Sequence, residues 1–121
     1  MNMEERRRFV RWQVNRQASV KLRDQDNPFD CKIKDIGLKG LRIYSPQELK
    51  KDSNLALSIA LGYELSLNIE ASVAWNKAVG ADNICGLYFT RIRDIDKEKI
   101  YEFVRKNFPE QIEQQLWKGV V

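Results

Sequence analysis

The sequence predicts a mainly β domain, a small antiparallel barrel or sandwich between an arginine-rich N-terminal arm and a C-terminal helix or helices. Six short segments alternate apolar and polar residues, turn formers separate them, and the apolar spacing becomes helical after residue 93. The 121 residues, of which 43% are hydrophobic, are enough for one domain with a single core. Six strands at such short intervals indicate a sheet that closes its own edges.

The arm, residues 1–16, shows no clean period, and we expect it to be extended or irregular. Four of its five arginines fall within six positions that hold no carboxylate: Arg6, Arg7, Arg8 and Arg11. The planar fork of arginine suits phosphate oxygens and the O6/N7 edge of guanine, and its flat face can stack on a base. The arm therefore indicates an anionic partner that bears guanine. A solvated basic tail is the alternative that the arm alone leaves open.

Alternation identifies each strand. In the first, Ala18, Val20 and Leu22 share one face, and the polar residues between them share the other. Polar breaks separate the strands, and the Ser45-Pro46 pair is typical of the start of a helical turn. The predicted strands are residues 18–23, 29–34, 41–44, 54–61, 65–75 and 84–91.

The period changes after the last strand. Residues 94–107 have apolar side chains at helical spacing, and Asp94 or Asp96 can cap the first turn. Pro109 disfavours helix at the preceding residue and is well placed to start a second, shorter helix. We therefore divide the chain into a flexible ligand-binding arm, residues 1–16, and one domain, residues 17–121, whose helices span about residues 94–118.

The positive charge is local to the N-terminus. Residues 1–23 hold seven of the 21 Lys and Arg and two of the 17 Asp and Glu, a net charge of +5, whereas the remainder carries −1. A protein that coats DNA non-specifically usually spreads basic charge over a face of its fold. This asymmetry favours a small anionic ligand or a short contact.

The composition argues against catalysis. Histidine is absent from the sequence, which removes the commonest general base and metal ligand. Carboxylate pairs such as Asp24 with Asp26 occur in turn-like or helix-starting segments, where local capping explains them. We therefore expect no catalytic residue, no metal site and no cofactor, and we interpret the chain as a non-enzymatic protein.

The cysteines and the N-terminus indicate the cellular compartment. Cys31 and Cys85 lie in apolar strand patterns and form no CxxC motif, so we expect them to be free thiols in a reducing cytosol. The N-terminus is charged where a signal peptide needs an apolar segment, and no apolar run approaches the ~20 residues of a membrane span. These features predict a cytoplasmic protein that does not insert into membranes.

Two motifs occur in order along the chain. Arg7-x-x-x-Arg11 precedes the first strand, and Asp35-x-Gly37-x-x-Gly40 connects the second and third. Together they resemble the PilZ family, whose members carry RxxxR in an N-terminal arm and a (D/N)xSxxG turn on a six-stranded barrel. The resemblance implies a six-stranded antiparallel β-barrel and a bacterial receptor for cyclic di-GMP. It covers nearly the whole chain, including strand residues 18–20, 71–75 and 86–89.

The resemblance also implies a role for each matching residue. Arg7 and Arg11 match the two arginines that contact phosphate and guanine, and Asp35 matches the acidic position that accepts hydrogen bonds from a guanine edge. Gly40 matches the closing glycine, whereas Gly37 stands where the pattern has serine. The residue before the first motif arginine is also arginine, as in relatives that bind an intercalated pair of ligands. The expected ligand-binding residues are therefore Arg6, Arg7, Arg11, Asp35, Gly37 and Gly40.

Three functions remain open at this point. The leading hypothesis is a cyclic di-GMP receptor whose arm closes on the ligand and changes the interaction with a protein partner that carries the output. The second is a ligand-free adaptor on the same fold, because Gly37 lacks the expected serine hydroxyl. The third, a nucleic-acid binder, is disfavoured by the near-neutral remainder of the chain and the lack of a basic, aromatic strand face.

The turn motif also has a purely structural interpretation. Asp35 could hydrogen-bond its own turn, and Gly37 and Gly40 could supply positive φ angles in a hairpin connection. The sequence alone does not separate this interpretation from ligand binding.

Overall fold

The structure is a computed structural model that describes residues 10–62 and 65–117, the last four of them as backbone only. Seven strands precede two helices in the described chain. The strands are β1 Arg11–Trp12, β2 Gln17–Leu22, β3 Phe29–Gly37, β4 Gly40–Ser45, β5 Asn54–Gly62, β6 Leu65–Val79 and β7 Asp82–Arg91. The helices are α1 Asp94–Asn107 and α2 Pro109–Trp117, both as the sequence predicts.

The strands form one antiparallel sheet that closes on itself. Its order is β1-β3-β2-β5-β6-β7-β4, and β4 pairs again with β3. Strands β2 to β7 are therefore a closed six-stranded barrel, which confirms the predicted fold and leaves the barrel strands without a free edge. β1 is an additional strand that pairs with the end of β3. The sequence predicted only an extended or irregular arm there, because two residues are too few to show alternation.

Alternation along the strands builds the core. In β5, burial alternates at every position, so one face packs inside the barrel and the other meets solvent. Each fully buried leucine or isoleucine contributes about 1.5–3 kcal/mol relative to an exposed one. α1 adds a further apolar stripe to the same core. The inward residues of β5 are Leu55, Leu57, Ile59 and Leu61, and those of α1 are Ile100, Phe103 and Val104.

The base of the arm, residues 10–13, is joined to both helices. Trp12 is buried and meets Tyr101 of α1 edge to face, with the ring centroids 6.3 Å apart. The side chain of Gln111 in α2 donates to the Gln13 carbonyl oxygen and accepts from the Gln13 N–H, both at 2.9 Å. This amide pairs with the backbone as a neighbouring strand would. The predicted division of the chain at residue 16 stays a prediction.

The strand ends differ from those predicted. β3 extends to Gly37 and β4 begins at Gly40, so the connection between them shrinks to two residues. β6 and β7 likewise continue into a hairpin, because backbone pairing persists where apolar alternation has ended. The helical turn expected from Ser45 is wrong. The Ser45 hydroxyl instead donates to the Gln47 carbonyl oxygen at 2.6 Å and accepts from the Gln47 N–H, which holds a non-helical turn. Among the described residues, no helix is long and apolar enough to cross a membrane.

Candidate ligand-binding site

Strand pairing brings the two sequence motifs together. β1 lies antiparallel to β3, with Arg11 directly opposite Gly37 and Trp12 opposite Ile36. The Arg11 side chain is exposed, whereas Trp12 points into the core. The second motif arginine therefore lies beside the glycine turn. Arg6 and Arg7 lie outside the described residues.

The two motif glycines allow backbones to approach closely. A Cβ atom on Gly37 would lie 2.6 Å from the Val10 carbonyl oxygen, and one on Gly40 would lie 2.2 Å from the Leu87 carbonyl oxygen. Real Cβ atoms do not reach such distances from backbone atoms. Among the described glycines, positive φ occurs only at Gly80. The interpretation that Gly37 and Gly40 supply positive φ angles is therefore wrong, and close packing of neighbouring strands is the reason for both glycines.

Asp35 is buried and held by an arginine. The Arg42 Nε donates to the two carboxylate oxygens of Asp35 at 3.0 and 2.9 Å, and Nη2 donates to Oδ2. The fork bonds the carboxylate with two nitrogens, which is the strong geometry for this pair. The Asp35 side chain is 7% exposed and that of Arg42 is 30% exposed. Arg42 therefore keeps an accessible edge while it neutralises a buried carboxylate.

A β-bulge produces this ion pair. The register of β3 against β4 shifts between Ile33 and Asp35, with Lys34 as the extra residue. Without the extra residue, strict alternation would turn Asp35 towards the same side as Ile33, which is in the core. The bulge instead lets both Ile33 and Ile36 remain fully buried while Asp35 pairs directly with Arg42.

The ion pair keeps Arg42 charged. The hydrogen bonds that Arg42 donates to Asp35 raise the pKa of Arg42 above its ordinary value, against a smaller opposing effect of burial. A guanidinium is protonated at every pH at which a protein folds, and this shift strengthens that state. Arg42 therefore stays charged at the site, where its charge is paired with the Asp35 carboxylate, and Arg11 adds a second, exposed guanidinium.

Trp75 belongs to the same row of paired residues that crosses the strands from Asp35 through Arg42 and Gly86. Arg42 of β4 and Trp75 of β6 both pair with Gly86 of β7, one on each side. A Cβ atom on Gly86 would lie 2.2 Å from Nε1 of the Trp75 indole, so the ring lies against the glycine backbone. Trp75 is 40% exposed, and Tyr88, two residues along β7, is 45% exposed. The outer face of the barrel therefore carries a carboxylate, a guanidinium and an open indole side by side.

The sequence motifs gave no role to Arg42 or to Trp75. Arg42 falls on the polar face of a short strand, where alternation predicts only that it points outwards. Trp75 falls at the end of an alternating strand pattern; its indole packs on Gly86, but two fifths of it is exposed. No sequence signal identifies the bulge that aligns Asp35 with Arg42. In the part of the chain that the structure describes, no group of three or more His, Cys, Asp or Glu residues could hold a metal ion.

The fold and this row define a closed antiparallel β-barrel domain with an arginine-bearing strand laid along a glycine-rich hairpin. The family model of the PilZ domain matches residues 5–106 of the sequence. The chain therefore belongs to the PilZ domain family, as its two motifs indicated. A comparison with curated proteins found no match.

Solved structures share the fold at low sequence identity. The PilZ domain of YcgR from Escherichia coli, solved with c-di-GMP, is 16% identical at a TM-score of 0.68, covering 90% of this chain and 96% of that one. The inhibitor of motility MotI/DgrA from Bacillus subtilis is 16% identical at a TM-score of 0.69, covering 89% and 52%. The K. pneumonia MrkH–c-di-GMP complex is 15% identical at a TM-score of 0.68, covering 88% and 54%. The chain thus spans about half the length of the latter two proteins.

Proposed function

We propose that this protein is a non-enzymatic receptor for cyclic di-GMP, in which the arginine arm closes over a ligand held on the outer face of the barrel. The observation that carries the proposal is the pairing of β1 with β3, because it aligns Arg11 with the glycine turn and with the Asp35–Arg42 pair. Membership of the PilZ family supports it, as do the c-di-GMP complexes of YcgR and MrkH. Binding is proposed to alter the interaction with a protein partner.

The chemistry of the ligand matches the groups available. Cyclic di-GMP carries two phosphates and two guanines, and arginine forks bond phosphate oxygens and the O6/N7 edge of guanine. Arg11 is exposed at the base of the arm. We assign Arg6 and Arg7 to the ligand on the motif alone, and Gly37 and Gly40 as the turn glycines whose missing side chains let the neighbouring strands pack closely beside the ligand.

Asp35 has a different role here from that of a lone guanine acceptor. Two nitrogens of Arg42 already occupy its carboxylate. A carboxylate accepts about four hydrogen bonds, so a guanine N1–H or N2–H could still bind. The pair also orients the Arg42 guanidinium, whose remaining N–H groups can donate to guanine O6 or to phosphate. We therefore add Arg42 to the proposed site.

Trp75 supplies a flat surface beside Arg42. Its indole lies against Gly86, which fixes its orientation, and its other face can stack on a base. Stacking of a base on an aromatic side chain contributes about 1–3 kcal/mol. Trp75 is therefore proposed to hold one guanine while the arginines bind phosphate.

Calorimetry of the purified protein tests the proposal, with cyclic di-AMP, GTP and a DNA oligonucleotide as competing ligands. Cyclic di-GMP is expected to bind and the other three to bind far more weakly. Arg11→Ala removes charged hydrogen bonds that contribute about 1.5–3 kcal/mol each, so affinity should fall roughly ten-fold or more. Arg42→Lys keeps a charge but loses the fork, and it should weaken binding as well.

The control is Arg105→Ala, which removes an exposed arginine from α1 that pairs with Glu102. It should leave affinity unchanged. Unchanged affinity in both Arg11→Ala and Arg42→Lys would remove the site assignment.

A ligand-free adaptor is the second candidate. It is favoured by the occupied Asp35 carboxylate and by Gly37 in the position of the pattern serine. Under this candidate, calorimetry shows no heat of binding for any nucleotide, and the exposed aromatic side chains of the row serve protein contact instead.

A further inference from the structure

A second cleft lies on the barrel, outside the proposed ligand site. It has a volume of about 520 Å³ and is open to solvent on the outer faces of β2, β5 and β6, near the end of β7. This volume lies within the range of about 300–1,000 Å³ that ligand-binding clefts occupy. None of the residues assigned to cyclic di-GMP lines it.

Short polar side chains form the floor of the cleft. Ser19, Ser58 and Asn68 stand directly opposite one another on three neighbouring strands. They are exposed or partly exposed, so their hydroxyl and amide groups can bond to a partner. The neighbouring row is Lys21, Ala56, Glu70 and Arg91, in which the small side chain of Ala56 leaves space between longer ones.

The rim of the cleft is cationic. Lys21 stands at one end of that row and Arg91 at the other, three strand spacings apart or about 14 Å. Among the described residues, Lys21 makes no ion pair. Arg91 approaches Glu70 only to 3.8 Å, with 81% and 60% of the two side chains exposed, so that pairing is weak.

The other two charges of the cleft cancel each other. Asp96 is buried and accepts hydrogen bonds from Nε and Nη2 of Arg93 at 3.0 and 2.9 Å. The charges that a partner meets are therefore those of Lys21, Arg91 and Glu70, with one net positive charge. The cleft favours anions, and Glu70 opposes them.

The form of the cleft favours an extended chain over a small molecule. Small-ligand sites place a few polar groups inside a largely apolar pocket, where these groups bond to the ligand and orient it. Within the described residues, every buried side-chain nitrogen or oxygen already has a hydrogen-bond partner. The donors of the cleft are instead exposed and spread over about 14 Å, a distance that about four residues of an extended peptide span.

We propose that this cleft docks an acidic, extended segment of a partner protein, with carboxylates placed on Lys21 and Arg91 and the peptide backbone over Ser19, Ser58 and Asn68. The proposal is independent of cyclic di-GMP binding, because the two sites share no residue.

The test uses a fluorescein-labelled twelve-residue peptide of alternating glutamate and serine, followed by anisotropy, with an alternating glutamine and serine peptide as the uncharged probe. The acidic peptide should bind and the uncharged one should not. Because each variant removes an exposed charge pair, Lys21→Glu and Arg91→Glu should each weaken binding roughly two- to five-fold. Glu70→Gln should tighten it, because it removes the opposing charge.

The matched control is Lys77→Glu, a charge reversal at an exposed position of β6 seven residues beyond Glu70, or about 23 Å along the strand. It should leave binding of the acidic peptide unchanged. Equal loss in Lys77→Glu and Lys21→Glu would mean general attraction to a basic protein, and it would overturn the proposal. Tighter binding of inorganic pyrophosphate at the same residues would overturn it in favour of a small anion.

Amide chemical-shift mapping locates the bound peptide. The peptide should shift the amide signals of Ser19, Ser58 and Asn68, and shifts confined to other residues would count against the cleft.

Discussion

Gly37 occupies the point where the arm meets the barrel. Its missing side chain lets β1 pair with β3, since a Cβ atom would lie 2.6 Å from the Val10 carbonyl oxygen. Because this oxygen belongs to the backbone, a side chain at position 37 fits only if β1 moves away from β3. Serine at this position, as in the family pattern, would bring a hydroxyl to the site but would disturb the strand that carries Arg11.

We therefore predict that Gly37→Ser and Gly37→Ala both destabilise the protein by about 1–3 kcal/mol, the usual cost of overpacking. Urea unfolding measures this loss. Because both variants have the Cβ atom and only one has the hydroxyl, their ratio of affinities for cyclic di-GMP reports the hydroxyl alone. A hydroxyl that bonds the ligand should make Gly37→Ser bind roughly two- to ten-fold tighter than Gly37→Ala. Equal affinities would show that position 37 does not contact the ligand through its side chain.

At the scale of single elements, α1 begins with a buried carboxylate. Asp96 is 1% exposed and accepts from the Arg93 backbone N–H at 3.2 Å as well as from its guanidinium. Hydrogen bonds from Arg93 lower the pKa of Asp96 below its ordinary value of 3.8, against an opposing effect of burial. The sequence predicted capping by Asp94 or Asp96, and the structure selects Asp96.

The lowered pKa of Asp96 determines how the free energy of unfolding depends on pH. The ionised Asp96 stabilises the fold above pH 3.8, and this contribution is lost as the pH falls through the lower pKa of the folded state. Asp96→Asn should cost about 1–2 kcal/mol at pH 7 and reduce the acid dependence of the unfolding free energy. Asp94→Asn is the matched control, because that side chain is 98% exposed. If both variants lose the same stability, the cap at Asp96 is not what holds the start of α1.

At the scale of the whole molecule, the closed barrel shields both thiols. Cys31 and Cys85 are the two cysteines of the sequence, and both are free and buried. Burial raises the pKa of each thiol from 9.0 to about 11. The thiolate is the reactive form, so neither residue should react while the barrel is closed.

We predict that a thiol reagent at pH 8 modifies both cysteines in guanidinium chloride and neither in the native protein. Because both pKa values are raised, the contribution of the neutral thiols to stability is complete below pH 9 and is lost as the pH rises towards 11. The unfolding free energy should therefore fall over that interval, and less steeply in a Cys31→Ala/Cys85→Ala variant. Rapid labelling of the native protein at pH 8 would show that the barrel opens locally.

The periodic patterns of the sequence were sufficient for the architecture. Apolar alternation depends on neighbouring residues only, so it located the six barrel strands, and the change to helical spacing located α1 and α2. The two motifs and the strand residues likewise identified the PilZ family, which the family model confirms over residues 5–106. The charge of the arm indicated an anionic ligand, which stays a prediction.

Features that depend on strand register were decided only by the tertiary structure. The bulge at Lys34 sets which side Asp35 faces, and this depends on how β3 meets β4 rather than on the local sequence. Arg42 and Trp75 become neighbours of the turn because both pair with Gly86 across β7. The partners lie 33 residues apart along the chain, and no local pattern relates them. Gly37 and Gly40 are required by close packing between neighbouring strands, which also depends on register. The sequence suggested instead that the two glycines supply positive φ angles.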